Sequence, residues 1–317
     1  MSEFSLIEKY FTRPAPTAVL GVGDDAALIA ISPGINMAVS TDMLVAGTHF
    51  YPDADPFLLG RKTLAVNISD MAAMGAVPRW ATLALSLPEE NEAWLAKFSK
   101  GFFSMAESSG VELVGGDTTR GPLTLSVTIT GVVLLGQALR RDGARIGDEI
   151  WVSGKLGDAA LALAHLQGKN RLEDADYQRV SSALHDPKPR VALGLALRSI
   201  AHSAIDVSDG LLADLGHILE QSRVGAEIHF DQLPVSECVQ QFSAQAFGKR
   251  CVMAGGDDYE LCFTAPVEMR ARIQQISDEL NLPLTIIGRI IRGNRGKVLA
   301  QDGTEIQLEK SGYDHFG

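Results

Sequence analysis

The amino-acid sequence predicts an α/β (α+β) protein built from two domains. Its 317 residues are enough for two domains of ordinary size. Apolar strand-like runs alternate with helical segments, and strands are in the majority over roughly the first 135 residues. A polar, Gly-containing segment, QALRRDGARIGDE, interrupts this alternation near the middle of the chain. We therefore expect one domain over residues 1–137 and a second over residues 148–317.

The N-terminal half combines three predicted helices with five predicted strands. The helices are expected over residues 2–11 (with Phe4, Ile7 and Phe11 on one face), 56–75 (with a break suggested near Asn67) and 90–109. The strands are expected at AALIAI, NMAVSTDMLV, RWATLALSL, VELVGG and LTLSVTITGVVLLG. RWATLALSL and LTLSVTITGVVLL are apolar enough to be buried on both faces, which this half cannot easily do alone. We therefore expect a homodimer formed through the N-terminal half.

The C-terminal half alternates in the same way. Strands are expected at IWVSG, SAIDV, AEIHF, DYELCFTA and LTIIGRII. Helices are expected over KLGDAALALAHLQG (with Asp158 as N-cap), residues 174–184, residues 189–202, the segment GLLADLGHILEQS, a stretch near 236–246, and residues 266–280.

Composition excludes several classes of function. The chain has 28 Lys and Arg against 39 Asp and Glu, a formal net charge of −11, which argues against nucleic acid and anionic membranes as partners. Its three cysteines have no C-x-x-C spacing and are expected to be reduced. No secretory signal and no apolar run of about 18 residues is present, so we expect a cytoplasmic location.

Aspartates recur where apolar runs end. The stretch GVGDDAALIA places two carboxylates side by side in a glycine-flanked turn. Helix capping would explain Asp70 or Asp209 taken singly, and turn formation would explain Asp117 or Asp257. The full set is Asp24, Asp25, Asp42, Asp70, Asp117, Asp206, Asp209, Asp257 and Asp258. Asp42 and Asp206 lie within apolar runs and fit neither explanation.

The recurring carboxylates indicate Mg²⁺ carrying phosphate. Mg²⁺ prefers oxygen ligands, and Ser40 and Thr41 would add neutral oxygens beside Asp42. The histidines and cysteines lack transition-metal spacing, and the twelve-residue EF-hand loop is missing. At about 4 Å a carboxylate repels a phosphate charge by about 1 kcal/mol in water and about 4 kcal/mol at a cleft's effective dielectric. Several Mg²⁺ ions reverse the sign of that field.

Other phosphate-binding motifs fit poorly. The P-loop pattern G-x-x-x-x-G-K-[ST] and the protein-kinase H-R-D and D-F-G motifs are absent. GVGDDA satisfies G-x-G-x-x-A, but the segment that follows runs only to Pro33, too short for a helix that would bind pyrophosphate.

The two halves of the chain share an internal echo, that is, two pairs of similar segments. NISDMAAMG resembles DVSDGLLADLG, and VGGDTT resembles AGGDDY. The echo predicts an S-D helix start and a G-G-D turn in each half.

Longer motifs resemble one enzyme family. GVGDDAAL, STDMLVAGTHF, KTLAVNISDMAAMGA, LVGGDTTRG, SAIDVSDGLLADLGHI, GGDDYELCFT and GYDHF are similar, in order and spacing, to the thiamine-monophosphate kinases of the aminoimidazole ribonucleotide synthetase superfamily. The resemblance implies an N-terminal domain whose strands build a barrel across a homodimer, and an α+β C-terminal domain. It also implies that ATP and thiamine monophosphate give ADP and thiamine diphosphate, with several Mg²⁺ ions required.

The resemblance also assigns residues. It places Mg²⁺ ligands at Asp25, Ser40, Thr41, Asp42, Asp70, Asp117, Asp206 and Asp209. It places ATP contacts at Gly116, Asp117, Arg141 and Ser208, and thiamine phosphate contacts at His49, Asp257 and Tyr313. Asp42, Asp117 and Arg141 are the expected catalytic residues, because transfer between two phosphates needs alignment and charge neutralisation rather than a nucleophilic side chain.

One position departs from the family and two alternatives remain open. The family commonly has GGEDYEL where this chain has GGDDYEL, so Asp257 replaces a glutamate; Asp24 is interpreted as a supporting turn residue, and Asp258 has no assigned role. The alternatives are another ATP-dependent enzyme of the superfamily and a non-catalytic Mg²⁺- or nucleotide-binding module. The first 237 residues contain no cysteine and the chain ends YDHFG, which argues against the cysteine-dependent superfamily members.

Overall fold

A computed structural model describes residues 3–22, 26–308 and 312–313 of the chain. Asp24, Asp25, the side chain of Phe4 and the closing DHFG lie outside the described residues. The chain divides into two units. The first contains residues 1–71 and 76–136, and the second contains residues 72–75 and 137–317.

The first unit is built on a four-stranded mixed sheet. Its elements are α1 (Glu3–Phe11), β1 (Ile35–Val45), α2 (Pro56–Ala73, whose last two residues belong to the second unit), β2 (Val77–Leu87), α3 (Glu92–Ser109), β3 (Glu112–Arg120) and β4 (Thr124–Leu134). The strand order is β1-β4-β2-β3. Strand β4 is antiparallel to β1 and β2, and β3 is parallel to β2.

Alternation along the strands gives this sheet one buried face. Leu125, Val127 and Ile129 of β4 are fully buried, and Leu83 of β2 lies beside Val127 on the same face. Helices α2 and α3 cross at two glycines: a Cβ on Gly60 or Gly101 would collide with the backbone of the other helix. The glycines therefore bring the two helices into backbone contact.

Several sequence expectations for this unit are wrong. Helix α2 is continuous through Asn67, whose amide donates to the Thr63 carbonyl oxygen one turn earlier (3.0 Å). AALIAI forms no strand beyond an isolated bridge between Leu20 and Leu28. Asp70 lies in the last turn of α2 rather than at a helix start, and VGGDTT lies within β3 rather than in a turn. The internal echo therefore does not correspond to repeated local structure.

The second unit is built on a seven-stranded sheet in the order β11-β10-β7-β9-β5-β8-β6. Its strands are β5 (Glu149–Ser153), β6 (Ser203–Asp206), β7 (Gly225–His229), β8 (Leu261–Ala265), β9 (Leu284–Ile291), β10 (Gly296–Leu299) and β11 (Glu305–Ile306). Its helices are α4 (Asp158–Leu166), α5 (Asp174–His185), α6 (Val191–Ala196), α7 (Leu211–Ser222), α8 (Glu237–Gln240), α9 (Ala246–Ala254) and α10 (Arg270–Leu280). The β7–β10 pair is parallel and the other pairs are antiparallel.

Helices cover both faces of this sheet. Ile150 and Val152 of β5 belong to a core shared with α4, α5, α7 and α9, whereas Trp151 between them belongs to a core shared with α6 and α10. All five residues of β5 are buried as a result. Within the described residues, no helix is both long and apolar enough to cross a membrane.

Three expectations for the second unit need correction. The N-cap of α4 is Gly157 and not Asp158, whose carboxylate instead accepts from the Ser236 hydroxyl. The helix expected near 236–246 is the single turn α8, and the helix expected over 189–202 ends at Ala196. Helix α9 and strands β10 and β11 were not predicted.

Candidate active site

Two elements of the first unit bring four polar residues together. Ser40 and Asp42 lie two residues apart in β1 and therefore on one face of the strand, and Asn67 and Asp70 lie three residues apart on α2. The Ser40 hydroxyl donates to Asp70 Oδ2 at 2.5 Å, and the Asp42 backbone N–H donates to Asn67 Oδ1 at 3.1 Å. The fully buried Asn67 is oriented by its bond to α2, so it fixes β1 against the helix at Asp42.

Thr41 lies on the opposite face of β1. Its hydroxyl shares a hydrogen bond of 2.9 Å with Thr128, its partner across the β1–β4 pair. The same face carries exposed apolar side chains, those of Met37, Val39 and Met43, which are 46%, 61% and 54% exposed. The two hydroxyls expected beside Asp42 are thus separated. Ser40 lies on the same face of the sheet as Asp42, and Thr41 lies on the opposite face.

The strand register separates Asp117 from Asp42 within one chain. Asp42 is in a row with Val127, Leu83 and Gly116, whereas Asp117 pairs with Ala84 in the next row. β1 and β3 are at opposite ends of the strand order, three strand spacings or about 14 Å apart. Gly116 has a φ of +155°, and a Cβ there would collide with the Leu83 backbone, so this position of β3 requires glycine.

His49 closes the turn that follows β1. Its imidazole Nδ1 accepts the Val45 backbone N–H at 3.0 Å, and the backbone N–H of His49 donates to the Val45 carbonyl oxygen at 2.9 Å. Because Nδ1 accepts, the neutral ring carries its proton on Nε2. The imidazole is therefore held in one tautomer at the end of the strand that carries Asp42.

In the second unit, five of the predicted residues converge on one turn. Val207–Gly210, the segment between β6 and α7 that we name the SDG turn, begins after Asp206, which is 5% exposed at the end of β6. The Ser208 carbonyl oxygen accepts the Asp257 N–H at 2.8 Å, and the Asp209 carbonyl oxygen accepts the Tyr313 N–H at 3.0 Å. The structure therefore brings together Asp206, Ser208, Asp209, Asp257 and Tyr313.

The SDG turn is held from the other side by Asp214, which the sequence analysis missed. Asp214 Oδ2 accepts the backbone N–H groups of Ser208, Asp209 and Gly210 at 3.0, 3.1 and 3.1 Å. Burial and the nearby charge of Asp209 raise the pKa of Asp214 to about 7, and the three N–H donors oppose that rise. Gly210, not Asp209, is the N-cap residue of α7. The available signal was an acid on the same face of α7 as the buried Leu211, Leu215 and Ile218.

The segment GGDDYE has an unusual backbone. Asp257 and Tyr259 have left-handed φ values of +68° and +49°, and the Tyr259 hydroxyl donates to Asp257 Oδ1 at 3.1 Å. Between them, Asp258 accepts the Gly157 N–H at 3.0 Å with both carboxylate oxygens. Burial raises the pKa of Asp258 well above its usual range. Asp258, to which the sequence assigned no role, thus anchors the segment to the start of α4.

A buried ion pair anchors the end of this segment. Glu260 is 5% exposed; its Oε2 accepts from Ser153 Oγ at 2.5 Å and from Arg190 Nε at 2.7 Å, and its Oε1 accepts from Arg190 Nη2. Gly154 has a φ of +59°, and a Cβ there would collide with the Glu260 carboxylate. Sequence reasoning identified neither Glu260 nor Arg190.

Arg141 lies in a short 3₁₀ helix, Arg141–Gly143, and is exposed. Its carbonyl oxygen accepts from the Ser222 hydroxyl at the end of α7 (2.8 Å), so its backbone is fixed to the helix that carries Asp214.

Asp25, the remaining predicted metal ligand, lies outside the described residues. Among the residues that are described, no three Asp, Glu, His or Cys side chains are grouped to hold a metal ion. The oxygen donors that the structure does bring together, the Asp70 carboxylate and the Ser40 hydroxyl, are of the type that Mg²⁺ prefers.

The fold and the motif order define a class of protein. Residues 23–133 match the AIR synthase related protein N-terminal domain family, and residues 145–301 match the corresponding C-terminal domain family. The two-domain α/β architecture is therefore that of the AIR synthase related proteins.

Individual relatives narrow the class to one family. Thiamine-monophosphate kinase of Escherichia coli (strain K12) is 46% identical over 99% of this chain and 98% of its own length. The crystal structure of thiamine-monophosphate kinase from Stenotrophomonas maltophilia K279a is 48% identical, with a TM-score of 0.88 over 96% of this chain and 98% of that one. A structure of AaThiL complexed with AMPPCP and TMP is 30% identical, with a TM-score of 0.79 over 90% and 89% of the two chains. This chain belongs to the thiamine-monophosphate kinase family and is a kinase, which confirms the resemblance found in its sequence.

Proposed function

We propose that this chain transfers the γ-phosphoryl group of ATP directly to thiamine monophosphate, giving ADP and thiamine diphosphate with the help of Mg²⁺. The observation that carries the proposal is the convergence of the expected ATP contact Ser208 and the expected thiamine phosphate contacts Asp257 and Tyr313 on the SDG turn. A relative that was solved with AMPPCP and TMP supports the same pair of substrates.

The protein's role in this reaction is alignment and charge neutralisation. The acceptor is already a phosphate oxyanion, so no side chain has to remove a proton from it, and the transition state is loose. Bound Mg²⁺ would supply the positive charge that offsets the negative charges of the phosphates. The resemblance assigns its ligands to Ser40, Thr41, Asp42, Asp70 and Asp117 in the first unit and to Asp206 and Asp209 in the second unit. Because Thr41 and Asp117 lie apart from Asp42 within one chain, the assignment fits several Mg²⁺ ions rather than one. The His49 Nε2–H can donate to an anionic group, and the exposed Arg141 can pair with the transferred phosphoryl group.

We further propose that the active protein is a homodimer in which the first unit's sheet closes into a barrel with a second copy. One face of β1 exposes Met37, Val39 and Met43, and Leu134, paired with Ile35 on the same face, is 51% exposed. An apolar sheet face of this kind needs a cover. A second copy would supply it. Such a protein is expected to be cytoplasmic and to bind neither nucleic acid nor membranes.

The deciding experiment measures ADP formation by the purified chain with ATP and Mg²⁺, with and without thiamine monophosphate. We expect ADP only when thiamine monophosphate is present, with thiamine diphosphate formed in equal amount. ADP formation that ignores thiamine monophosphate would indicate another activity of the superfamily. Nucleotide binding without any ADP formation would indicate a non-catalytic module.

A further inference from the structure

The SDG turn is bonded on both of its backbone edges. On one edge, the N–H groups of Ser208, Asp209 and Gly210 point to a single oxygen, Asp214 Oδ2. On the other edge, its carbonyl groups accept N–H groups from two separate segments, GGDDYE and the chain's closing segment. The turn therefore joins Asp214 to the segments that carry the expected substrate contacts.

The carbonyl groups of the SDG turn accept close hydrogen bonds from the segment GGDDYE. The Val207 carbonyl oxygen accepts the Tyr259 N–H at 2.8 Å, and the Ser208 carbonyl oxygen accepts the Asp257 N–H at 2.8 Å. A Cβ on Gly256 would lie 2.5 Å from the Ser208 carbonyl oxygen, and one on Gly312 would lie 2.8 Å from that of Asp209. Both neighbouring segments thus approach the turn so closely that a rotation of its peptide groups would displace them.

The N–H edge depends on the carboxylate. Gly210 has a φ of +126°, so the turn is not a helical extension of α7, and no backbone carbonyl group of α7 accepts its three N–H groups. Asp214 is 3% exposed and lies in the first turn of α7, where its own N–H donates to the Gly210 carbonyl oxygen at 3.0 Å. A buried oxygen carried by a rigid helix fixes the direction of all three peptide groups.

We propose that Asp214 is a positioning residue of the active site: by accepting three N–H groups it orients the SDG turn, whose carbonyl groups then hold Asp257 and Tyr313 where the substrate binds. Asp214 does not itself contact the substrate. The identity of that substrate rests on the proposed function, whereas the orientation of the turn does not.

The test compares Asp214→Asn and Asp214→Ala with a matched control, Asp148→Asn. Asp148 is also 3% exposed, also accepts a backbone N–H (from Arg145, 2.9 Å), and pairs with His202. His202 precedes β6 and the SDG turn follows it, so Asp148 lies at the other end of this strand. The control therefore measures the effect of losing a buried, hydrogen-bonded carboxylate away from the turn.

Two readouts separate positioning from stability. Hydrogen exchange of the Ser208, Asp209 and Gly210 amides in the full chain without substrates should be faster in both Asp214 variants and unchanged in Asp148→Asn. At a temperature at which all variants are folded, kcat/KM for thiamine monophosphate should fall about 10- to 100-fold in Asp214→Ala. This is the effect typical of residues that orient ligand-binding groups. Asp214→Asn, which keeps one acceptor oxygen, should retain more activity than Asp214→Ala.

Three outcomes would overturn the proposal. They are parental exchange rates at the three amides in either variant, a loss of kcat/KM no larger than that of Asp148→Asn, and equal loss in Asp214→Asn and Asp214→Ala. If Asp214→Ala does not fold, exchange and activity of Asp214→Asn against Asp148→Asn decide the question. A parent chain that makes no ADP with thiamine monophosphate overturns the proposed function instead, and the exchange comparison then decides the positioning role alone.

Discussion

Removing the charge of Asp257 should weaken the binding of thiamine monophosphate selectively. Asp257→Asn is the cleanest perturbation, because the backbone there has a φ of +68°, a conformation that Asn tolerates at least as well as Asp. The amide keeps Oδ1, so the hydrogen bond from the Tyr259 hydroxyl at 3.1 Å can persist. Asp257→Ala removes the charge as well, but adds about 1 kcal/mol of backbone strain.

The expected size follows from the charge of the thiazolium ring. A carboxylate about 4 Å from a positive charge contributes about 1 kcal/mol in water and about 4 kcal/mol at the effective dielectric of a protein surface. Asp257 is partly exposed, which places its contribution between these limits, at about 2 kcal/mol. This corresponds to a rise of about 30-fold in KM for thiamine monophosphate when KM reports binding.

Steady-state kinetics with each substrate varied in turn measures the effect. KM for ATP should change by less than about twofold, because the proposed site places the charge that is lost beside the thiamine and not beside ATP. Asp302→Asn, an exposed acid in the same unit, controls for the change in net charge, and Asp257→Glu should remain active. An equal rise in both KM values, or a change in Mg²⁺ dependence alone, would refute the placement of Asp257 beside the thiamine.

Three further predictions concern other parts of the chain. Asp42→Asn should lower kcat by orders of magnitude with an unchanged circular dichroism spectrum; near-normal turnover at ordinary Mg²⁺ would remove Asp42 from the site. Val39→Asp should convert a dimer to a monomer in sedimentation experiments, whereas Val267→Asp, equally apolar and 49% exposed in the second unit, should not; a fully active monomeric parent chain would contradict the homodimer. In Glu260→Ala, Arg190, whose side chain is 23% exposed in the parent chain, loses its carboxylate partner, and the free energy of unfolding in urea should fall by about 3–5 kcal/mol. Glu227→Ala, whose partner Arg289 is 62% exposed, should lower it by less than about 1 kcal/mol. Similar losses in the two variants would contradict a special contribution of the Arg190–Glu260 pair.

Periodicity in the sequence located several of the regular elements closely. β1, α3 and β5 were located to within one or two residues because their apolar residues recur at strand or helix spacing. Helix α9 was missed because it is short and contains Gly248, a weak helix former. The structure explains that glycine: a Cβ there would collide with the backbone of Phe242. Tertiary contact and not local propensity determines the residue at such positions.

Sequence patterns singled out some of the site's aspartates but did not establish their roles. Asp42 stood out because it interrupts an apolar run, and the structure gives it a polar environment beside Asn67 and Ser40. Asp214 did not stand out, because its role depends on three backbone N–H groups that no side-chain pattern records. The ligand roles of these residues remain predictions, since carboxylate spacing along a chain does not specify which oxygens meet.

The aspartate at position 257 is explained by its backbone rather than by side-chain length alone. Left-handed φ values are tolerated better by Asp than by Glu, because a short side chain can bond locally while the backbone is strained. That strain persists only where neighbouring contacts fix the segment. Here the N–H groups of Asp257 and Tyr259 are bound to the SDG turn, and the carboxylates of Asp258 and Glu260 are each held by hydrogen bonds. A segment constrained at four successive residues has little freedom left to lose on binding, so the substrate would meet a carboxylate that is already in place.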